Sequence, residues 1–124
     1  MYSSRLQHET VYDLYQRGRR LLADGHPHAA ATVLTRAKLL EPEKASIRES
    51  LGRALFMSGR ARPARREFAK AVQLNPADDY AHYALARACE RTGQRTRALA
   101  HAKLAAALRP GVEEYDRVLR RLGS

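Results

Sequence analysis

Four arginines occupy equivalent places along the chain and carry the side chain best suited to holding carboxylates. They follow one another at intervals of 34 residues and are Arg19, Arg53, Arg87 and Arg121. A guanidinium group presents a planar fork of N–H donors that pairs with a carboxylate through two parallel hydrogen bonds. If the four side chains share one face of the folded protein, the pattern predicts a row of binding positions for an acidic ligand.

Tyrosines accompany the arginine series at two points. The pairs are Tyr12 with Tyr15 and Tyr80 with Tyr83. The equivalent positions between the pairs hold Ser46 and Glu49, which gives the series a small, acidic centre. Tyrosine rings could pack on the apolar side chains of a ligand while the guanidinium groups bind its carboxylates. The alternative is a solvated face whose arginines pair internally with residues such as Glu49 and Glu90.

The other reactive or metal-binding side chains form no recognisable motif in the sequence. Cys89 shares the register of Leu21 and Leu55, which predicts a buried apolar position rather than a nucleophile. No two histidines have i, i+4 spacing beside a carboxylate or thiolate; they are His8, His26, His28, His82 and His101. The sequence also lacks a glycine-rich phosphate loop. We therefore predict that the protein is not an enzyme and binds no metal or cofactor.

An internal repeat of 34 residues positions these side chains. At four positions of the repeat the same residue recurs in every unit, a glycine, a proline and two alanines. They are Gly25, Gly59, Gly93; Pro42, Pro76, Pro110; Ala30, Ala64, Ala98; and Ala37, Ala71, Ala105. The units begin at Val11, Ala45 and Asp79, and each shows apolar residues at helical spacing before the glycine and a second helix before the proline. Each unit is therefore predicted to be a helix hairpin.

The glycines, prolines and small residues of the repeat have separate physical roles. The glycine of each unit supplies the left-handed backbone that ends the first helix. Pro27 and Pro63 suit the first turn of the second helix, where a backbone N–H is not needed. Small residues in each hairpin are predicted to let its two helices approach closely; they are Gly18, Gly52 and Ala86, facing Ala30, Ala64 and Ala98.

The middle unit resembles the tetratricopeptide repeat (TPR). The matching residues are Leu51-Gly52, Phe68, Ala71 and Leu74-Asn75-Pro76. The resemblance extends over residues 11–112 and implies an all-α fold, a right-handed α-solenoid of three helix hairpins whose first helices line a concave groove. The departures from the usual pattern are Leu14, Arg48, His82 and Ala102.

Some members of this family hold the C-terminal carboxylate of chaperones with a clamp of Lys, Asn and Arg. The corresponding positions here are Tyr15, Arg19, Ser50, Tyr80 and Ala84, and none of them matches. The resemblance therefore favours a different acidic segment. Since packed helices lie about 10 Å apart, the arginine series would span roughly 30 Å, the length of about nine extended residues.

The register of the repeat also predicts where the array begins and ends. Residues 1–10 are expected to form a flexible leader, followed by units at 11–44, 45–78 and 79–112 and a capping helix at 113–124. The face of the first helix that would meet a preceding unit is polar in unit one, with Asp13, Arg17 and Arg20. The capping helix places Tyr115, Leu119 and Leu122 on that face. Seven helices with polar ends are therefore predicted.

Composition narrows the class of protein and its partners. About 44% apolar residues can build one core, and a single cysteine without an apolar N-terminal stretch indicates a cytoplasmic protein. The formal net charge of +10 favours acidic partners.

Three functions fit these observations. The leading one is a protein-protein interaction adaptor that binds an acidic peptide or protein segment in the groove. A second is a nucleic-acid or ribosome-associated protein that uses a basic cluster: Arg60, Arg62, Arg65, Arg66 and Lys70. A third is a structural subunit that oligomerises through the capping helix or the groove.

Overall fold

The computed structural model describes residues 9–123, and seven α-helices occupy most of this range. They are α1 (Val11–Ala23), α2 (Pro27–Leu40), α3 (Ala45–Met57), α4 (Ala61–Leu74), α5 (Asp79–Arg91), α6 (Arg95–Leu108) and α7 (Glu113–Gly123). This order confirms the predicted all-α solenoid of three helix hairpins and a capping helix. Residues 1–8, most of the predicted leader, lie outside the described residues, as does residue 124.

Each hairpin turns at a glycine with a left-handed backbone, as the sequence predicted. The φ angle is 82° at Gly25, 81° at Gly59 and 79° at Gly93. A Cβ at any of these positions would meet nothing within 4 Å. The requirement for glycine is therefore conformational rather than steric, because other residues rarely adopt this backbone region.

The hairpins stack through one face of each first helix and of α7. This face is buried on α3, α5 and α7, through Ile47, Leu51, Ala54, Ala81, Leu85, Ala88, Tyr115 and Leu122. The same face of α1 exposes Asp13 and Arg20 to solvent. Each second helix also packs on the next first helix, so the core runs without a break from α1 to α7. None of the helices within residues 9–123 has the length and apolar character needed to cross a bilayer.

The two helices of a hairpin approach most closely at a small residue of the first helix. A Cβ on Gly18 would lie 2.5 Å from Leu34 Cγ, and one on Gly52 would lie 2.6 Å from the Phe68 ring. The atoms nearest to such a Cβ thus belong to large side chains of the second helix, which the sequence analysis did not name. In the third hairpin the equivalent positions hold Ala86 and Ala102, and both are buried. The methyl group of Ala86 fits there because Ala102 is smaller than Leu34 or Phe68.

Replacing Gly52 by alanine should lower the free energy of unfolding by about 1–2 kcal/mol, because the overpacking cost exceeds the gain in helix propensity. Urea denaturation would measure the change. Gly123→Ala is the matched control, since a Cβ there meets nothing within 4 Å. Combining Gly52→Ala with Phe68→Ala copies the third hairpin and should cost less than the sum of the single changes. A Gly52→Ala protein as stable as the original would contradict this account.

A buried carboxylate ties three helices together near the middle of the array. Glu67 on α4 accepts hydrogen bonds from Lys38 Nζ at 2.9 Å and from Arg48 Nη1 at 3.0 Å. Arg48 Nε also donates to the carbonyl oxygen of Pro42 at 2.9 Å. The group joins α2, α3 and α4, and it explains why Arg48 stands where the repeat usually has an aromatic residue.

Polar contacts also fix both ends of the described chain. Thr10 caps α1 in a reciprocal capping box with Asp13, and Glu9 pairs with Arg17 at 2.7 Å. At the other end Tyr115 donates a hydrogen bond of 2.6 Å to Asp79 on α5. These contacts fix the start of α1 and hold the capping helix against α5, as caps and charge-assisted hydrogen bonds do.

Candidate binding groove

A pocket on the face of the first helices brings together two of the predicted arginines and one tyrosine pair. It has a volume of about 180 Å³ and is lined by Arg53, Phe56, Met57, Phe68, Tyr80, Tyr83, Ala84 and Arg87. Arg53 and Phe56 come from α3, Arg87 from α5, so the pocket lies where successive first helices meet. We call it the central pocket. Its floor is aromatic, and its rim carries two guanidinium groups.

Stacking contacts hold the rings and cations of the central pocket. The guanidinium carbon of Arg87 lies 5.3 Å from the centroid of the Phe56 ring, and that of Arg91 lies 4.7 Å from it. The rings of Tyr80 and Tyr83 are 5.9 Å apart. Such contacts fix side chains before a ligand arrives, which lowers the entropic cost of binding.

The first tyrosine pair lines a second pocket, of about 240 Å³, between α1 and α3. Its lining is Val11, Tyr12, Tyr15, Gln16, Glu41, Lys44, Ser46 and Ile47. Tyr12 is 69% exposed, so its ring is open to contact from outside the protein. Arg19 lies 5.7 Å from the centroid of the Tyr15 ring and is itself exposed. The predicted tyrosine pairs thus lie in two separate pockets on the first helices.

The fourth arginine of the series is already paired inside the protein. Arg121 donates to both carboxylate oxygens of Glu90, from Nε at 2.8 Å and from Nη2 at 2.6 Å. The hydrogen bond from Arg121 holds the pKa of Glu90 below its usual value. Arg121 therefore secures the capping helix to α5, and the donors left for a ligand belong mainly to Arg19, Arg53 and Arg87.

Glu49, in the acidic centre predicted from the sequence, has surroundings that favour the protonated form of its carboxyl group. Burial, a hydrogen bond with Asp78 and the negative charge of Asp78 raise the pKa of Glu49 to about 8, against the opposing charge of Arg53. The protonated group carries no charge to neutralise Arg53. The middle of the groove is therefore more positive at pH 7 than the sequence indicates.

Phe56 and Met57 were not among the candidate residues that the sequence singled out. Phe56 is the twelfth residue of its unit and lies three residues after Arg53 on α3. The same position of the third unit holds Glu90, the partner of Arg121. Glu90, which the sequence offered as an internal partner for the arginine series, does pair with Arg121.

Two histidines that are 19 residues apart meet between α5 and α6. His82 Nδ1 and His101 Nδ1 are 3.0 Å apart, and the two rings stack with centroids 5.2 Å apart. Cys89 is fully buried, and burial raises the pKa of its thiol, as expected of a core position. Within residues 9–123 no group of three or more His, Cys, Asp or Glu side chains is arranged to hold a metal ion.

The family model described as the bacterial transcriptional activator domain (BTAD) matches residues 29–111, more than half of the chain. The chain belongs to this family. The matched region runs from α2 through the turn after α6 and so includes the central pocket of this BTAD chain. No curated protein matches the sequence.

Solved structures similar to this BTAD chain are TPR domains and TPR-like proteins. The first TPR of Spaghetti (RPAP3), bound to the HSP90 peptide SRMEEVD, has a TM-score of 0.87 at 18% identity over 91% of this chain and 90% of that one. MamA has a TM-score of 0.90 at 21% identity over 95% and 69% of the respective chains. The Sgt2 TPR domain from Aspergillus fumigatus has a TM-score of 0.84 at 17% identity over 91% and 76%. These likenesses confirm the TPR fold.

Proposed function

We propose that this chain is a protein-binding module that holds an acidic segment of a partner along the groove of its first helices. The observation that carries the proposal is the central pocket, where Arg53 and Arg87 flank an aromatic floor. A ligand would place one large apolar side chain against Phe56, and acidic neighbours on the two guanidinium groups. Arg19 and the exposed ring of Tyr12 would extend the contact toward α1.

The size and charge of the pocket support a peptide ligand. A volume of about 180 Å³ lies below the roughly 300–1,000 Å³ of pockets that take drug-sized molecules, and it suits a single side chain. Charge-assisted hydrogen bonds from arginine to carboxylate are stronger than neutral ones and directional. Protonated Glu49 adds no negative charge of its own beside Arg53 at pH 7.

Two of the similar structures contain peptides whose sequences end in Glu-Glu-Val-Asp, SRMEEVD and SGPTIEEVD. The residues that would form the chaperone clamp differ here, and Ser50 and Ala84 are buried. We therefore propose an acidic segment with an internal apolar side chain rather than a chaperone C-terminus. The BTAD membership suggests that the partner belongs to a bacterial transcription complex.

The test is a fluorescence-anisotropy titration with a labelled nine-residue peptide that has a central phenylalanine flanked by glutamates. Arg53→Gln combined with Arg87→Gln should weaken binding tenfold or more, since each lost contact to a charged group is worth about 1.5–3 kcal/mol. Replacing the phenylalanine by alanine, or the glutamates by glutamine, should also abolish most of the binding.

The matched control is Arg66→Gln with Arg97→Gln, which removes the same charge from the second helices. This control should bind the peptide with an affinity within about twofold of that of the original protein, because salt screens charges that lie far from the groove. Equal losses in both variants would show a general charge effect and would overturn the proposed groove. Thermal unfolding of each variant confirms that it is folded.

A further inference from the structure

A second basic surface lies on the opposite helices of the last two hairpins. It is an open cleft of about 510 Å³ lined by Arg66, Ala69, Lys70, Val72, Gln73, Leu85, Arg97 and His101. Arg66 and Lys70 come from α4, and Arg97 and His101 from α6. We call it the outer cleft. It shares no lining residue with the central pocket.

Among residues 9–123, the lining of the outer cleft includes no carboxylate, and two of its three Lys and Arg side chains lack an ionic partner. Within residues 9–123, neither Arg66 nor Arg97 forms a salt bridge, and Arg97 donates only to the side chain of Gln94, at 3.0 Å. Lys70 pairs at 3.3 Å with Glu43, whose side chain is 69% exposed. Arg66 and Arg97 are therefore available to an anionic ligand, and Lys70 would exchange a solvent-exposed carboxylate for one.

The cluster that the sequence indicated is only partly the one that the structure assembles. Arg65 donates to Thr92 Oγ1 at 2.7 Å, and Arg60 and Arg62 do not line the outer cleft. Arg97 and His101 join from the next hairpin instead. The result is a set of positive groups on two neighbouring helices rather than a run along one.

A contact with the buried ring of His82 orients His101, which is partly exposed, in the cleft. His82 Nε2 lies 2.8 Å from the carbonyl oxygen of Pro76, which can only accept, so this nitrogen carries a proton. In a neutral His82 ring Nδ1 is then an acceptor, and His101 Nδ1 donates to it at 3.0 Å. His101 Nε2 has no hydrogen-bond partner within the described chain. It can take up a proton and donate to a ligand without breaking the pair.

We propose that the outer cleft binds the phosphate backbone of double-helical DNA, with Arg66, Lys70 and Arg97 contacting phosphates and His101 adding a donor once it is protonated. Within the part of the chain that the structure describes, the lining has no Phe, Tyr or Trp ring on which an unpaired base could stack, unlike sites for single strands. Guanidinium and ammonium groups without base-reading geometry suit contacts that position a duplex without reading its sequence.

The test is fluorescence anisotropy with a labelled duplex of about 20 base pairs over a series of NaCl concentrations, in which each phosphate contact contributes about −0.9 to the slope of log K against log salt. Arg66→Gln with Arg97→Gln should flatten the slope by about 1.8 and weaken binding tenfold or more at low salt. The groove variant, Arg53→Gln with Arg87→Gln, removes equal charge and should keep the original slope.

Nuclear magnetic resonance of the His101 ring gives a second readout. Burial, His82 and Arg97 lower the pKa of His101 in the free protein, and Arg66 and Lys70 are the other cations that line the same cleft. The duplex should raise this pKa in the original protein and leave it unchanged in the Arg66→Gln, Arg97→Gln variant. The proposal is overturned by absence of duplex binding at low salt, by equal slope changes in the two double variants, or by preference for a single strand.

Discussion

Replacing Glu67 by glutamine is expected to lower the free energy of unfolding by about 3 kcal/mol, the lower end of the range for removing one partner of a buried ion pair. The side chain of Glu67 is 11% exposed, and those of Arg48 and Lys38 are 16% and 25% exposed. Glutamine keeps the shape but leaves two cations without their counter-charge. Because the cations are partly exposed, water can solvate them in part, so we place the loss at the lower end.

Urea denaturation at neutral pH measures this loss, and the midpoint of thermal unfolding should fall by roughly 10 °C for a chain of this size. Glu43→Gln is the matched control, because the Glu43–Lys70 pair is far more exposed and should contribute less than about 1 kcal/mol. A loss at Glu67 no larger than that at Glu43 would show that the group joining α2, α3 and α4 is not a stabilising centre.

Much of the fold follows from local chemistry that the sequence displays directly. Gly25 and its two equivalents need a left-handed backbone, and the structure gives them φ angles near 80°. The apolar face of α7 at Tyr115 and Leu122 could be read from the same register as that of α3. These features depend on residues close together in the sequence, so periodicity alone predicts them.

The pairing of side chains from different helices was not predictable in the same way. The sequence offered Glu90 as an internal partner for the arginine series, but the register did not show that Arg121, 31 residues away, is the arginine that pairs with it. The contact between His82 and His101 depends on how α6 packs on α5, which the register leaves open. The position of a residue in the repeat predicts the direction of its side chain. Whether that side chain is free for a ligand or is paired within the protein depends on how the helices pack.

Glu49 illustrates the same limit for charge, since the sequence marks it as acidic while its surroundings keep it protonated. Its pKa is raised from the usual 4.5 to about 8, chiefly by burial and by its hydrogen bond with Asp78. In the unfolded chain the carboxyl group loses its proton near pH 4.5. The folded state therefore binds the proton more tightly, and the stability that this provides is complete below pH 4.5 and is lost as the pH rises through about 8.

Glu49→Gln should remove this dependence, because glutamine imitates the protonated acid at every pH. Relative to the original protein, the variant should gain stability progressively between pH 5 and pH 9, by about 2 kcal/mol after allowance for the partial exposure of the side chain. Urea denaturation at several pH values measures the difference. Glu114→Gln, at an exposed position of α7, controls for the loss of one carboxylate. A stability difference that does not change with pH would contradict the assigned proton.

The same proton links the stability of the groove to its proposed ligand. When Glu49 ionises above about pH 8, a negative charge appears beside Arg53 and competes with the carboxylates of an acidic peptide. Peptide affinity should therefore fall between pH 7 and pH 9 in the original protein and stay nearly constant in Glu49→Gln. Since glutamate side chains of the peptide are ionised throughout this range, the change in affinity reports the protein alone. A parallel fall in both proteins would place the titrating group elsewhere in the groove.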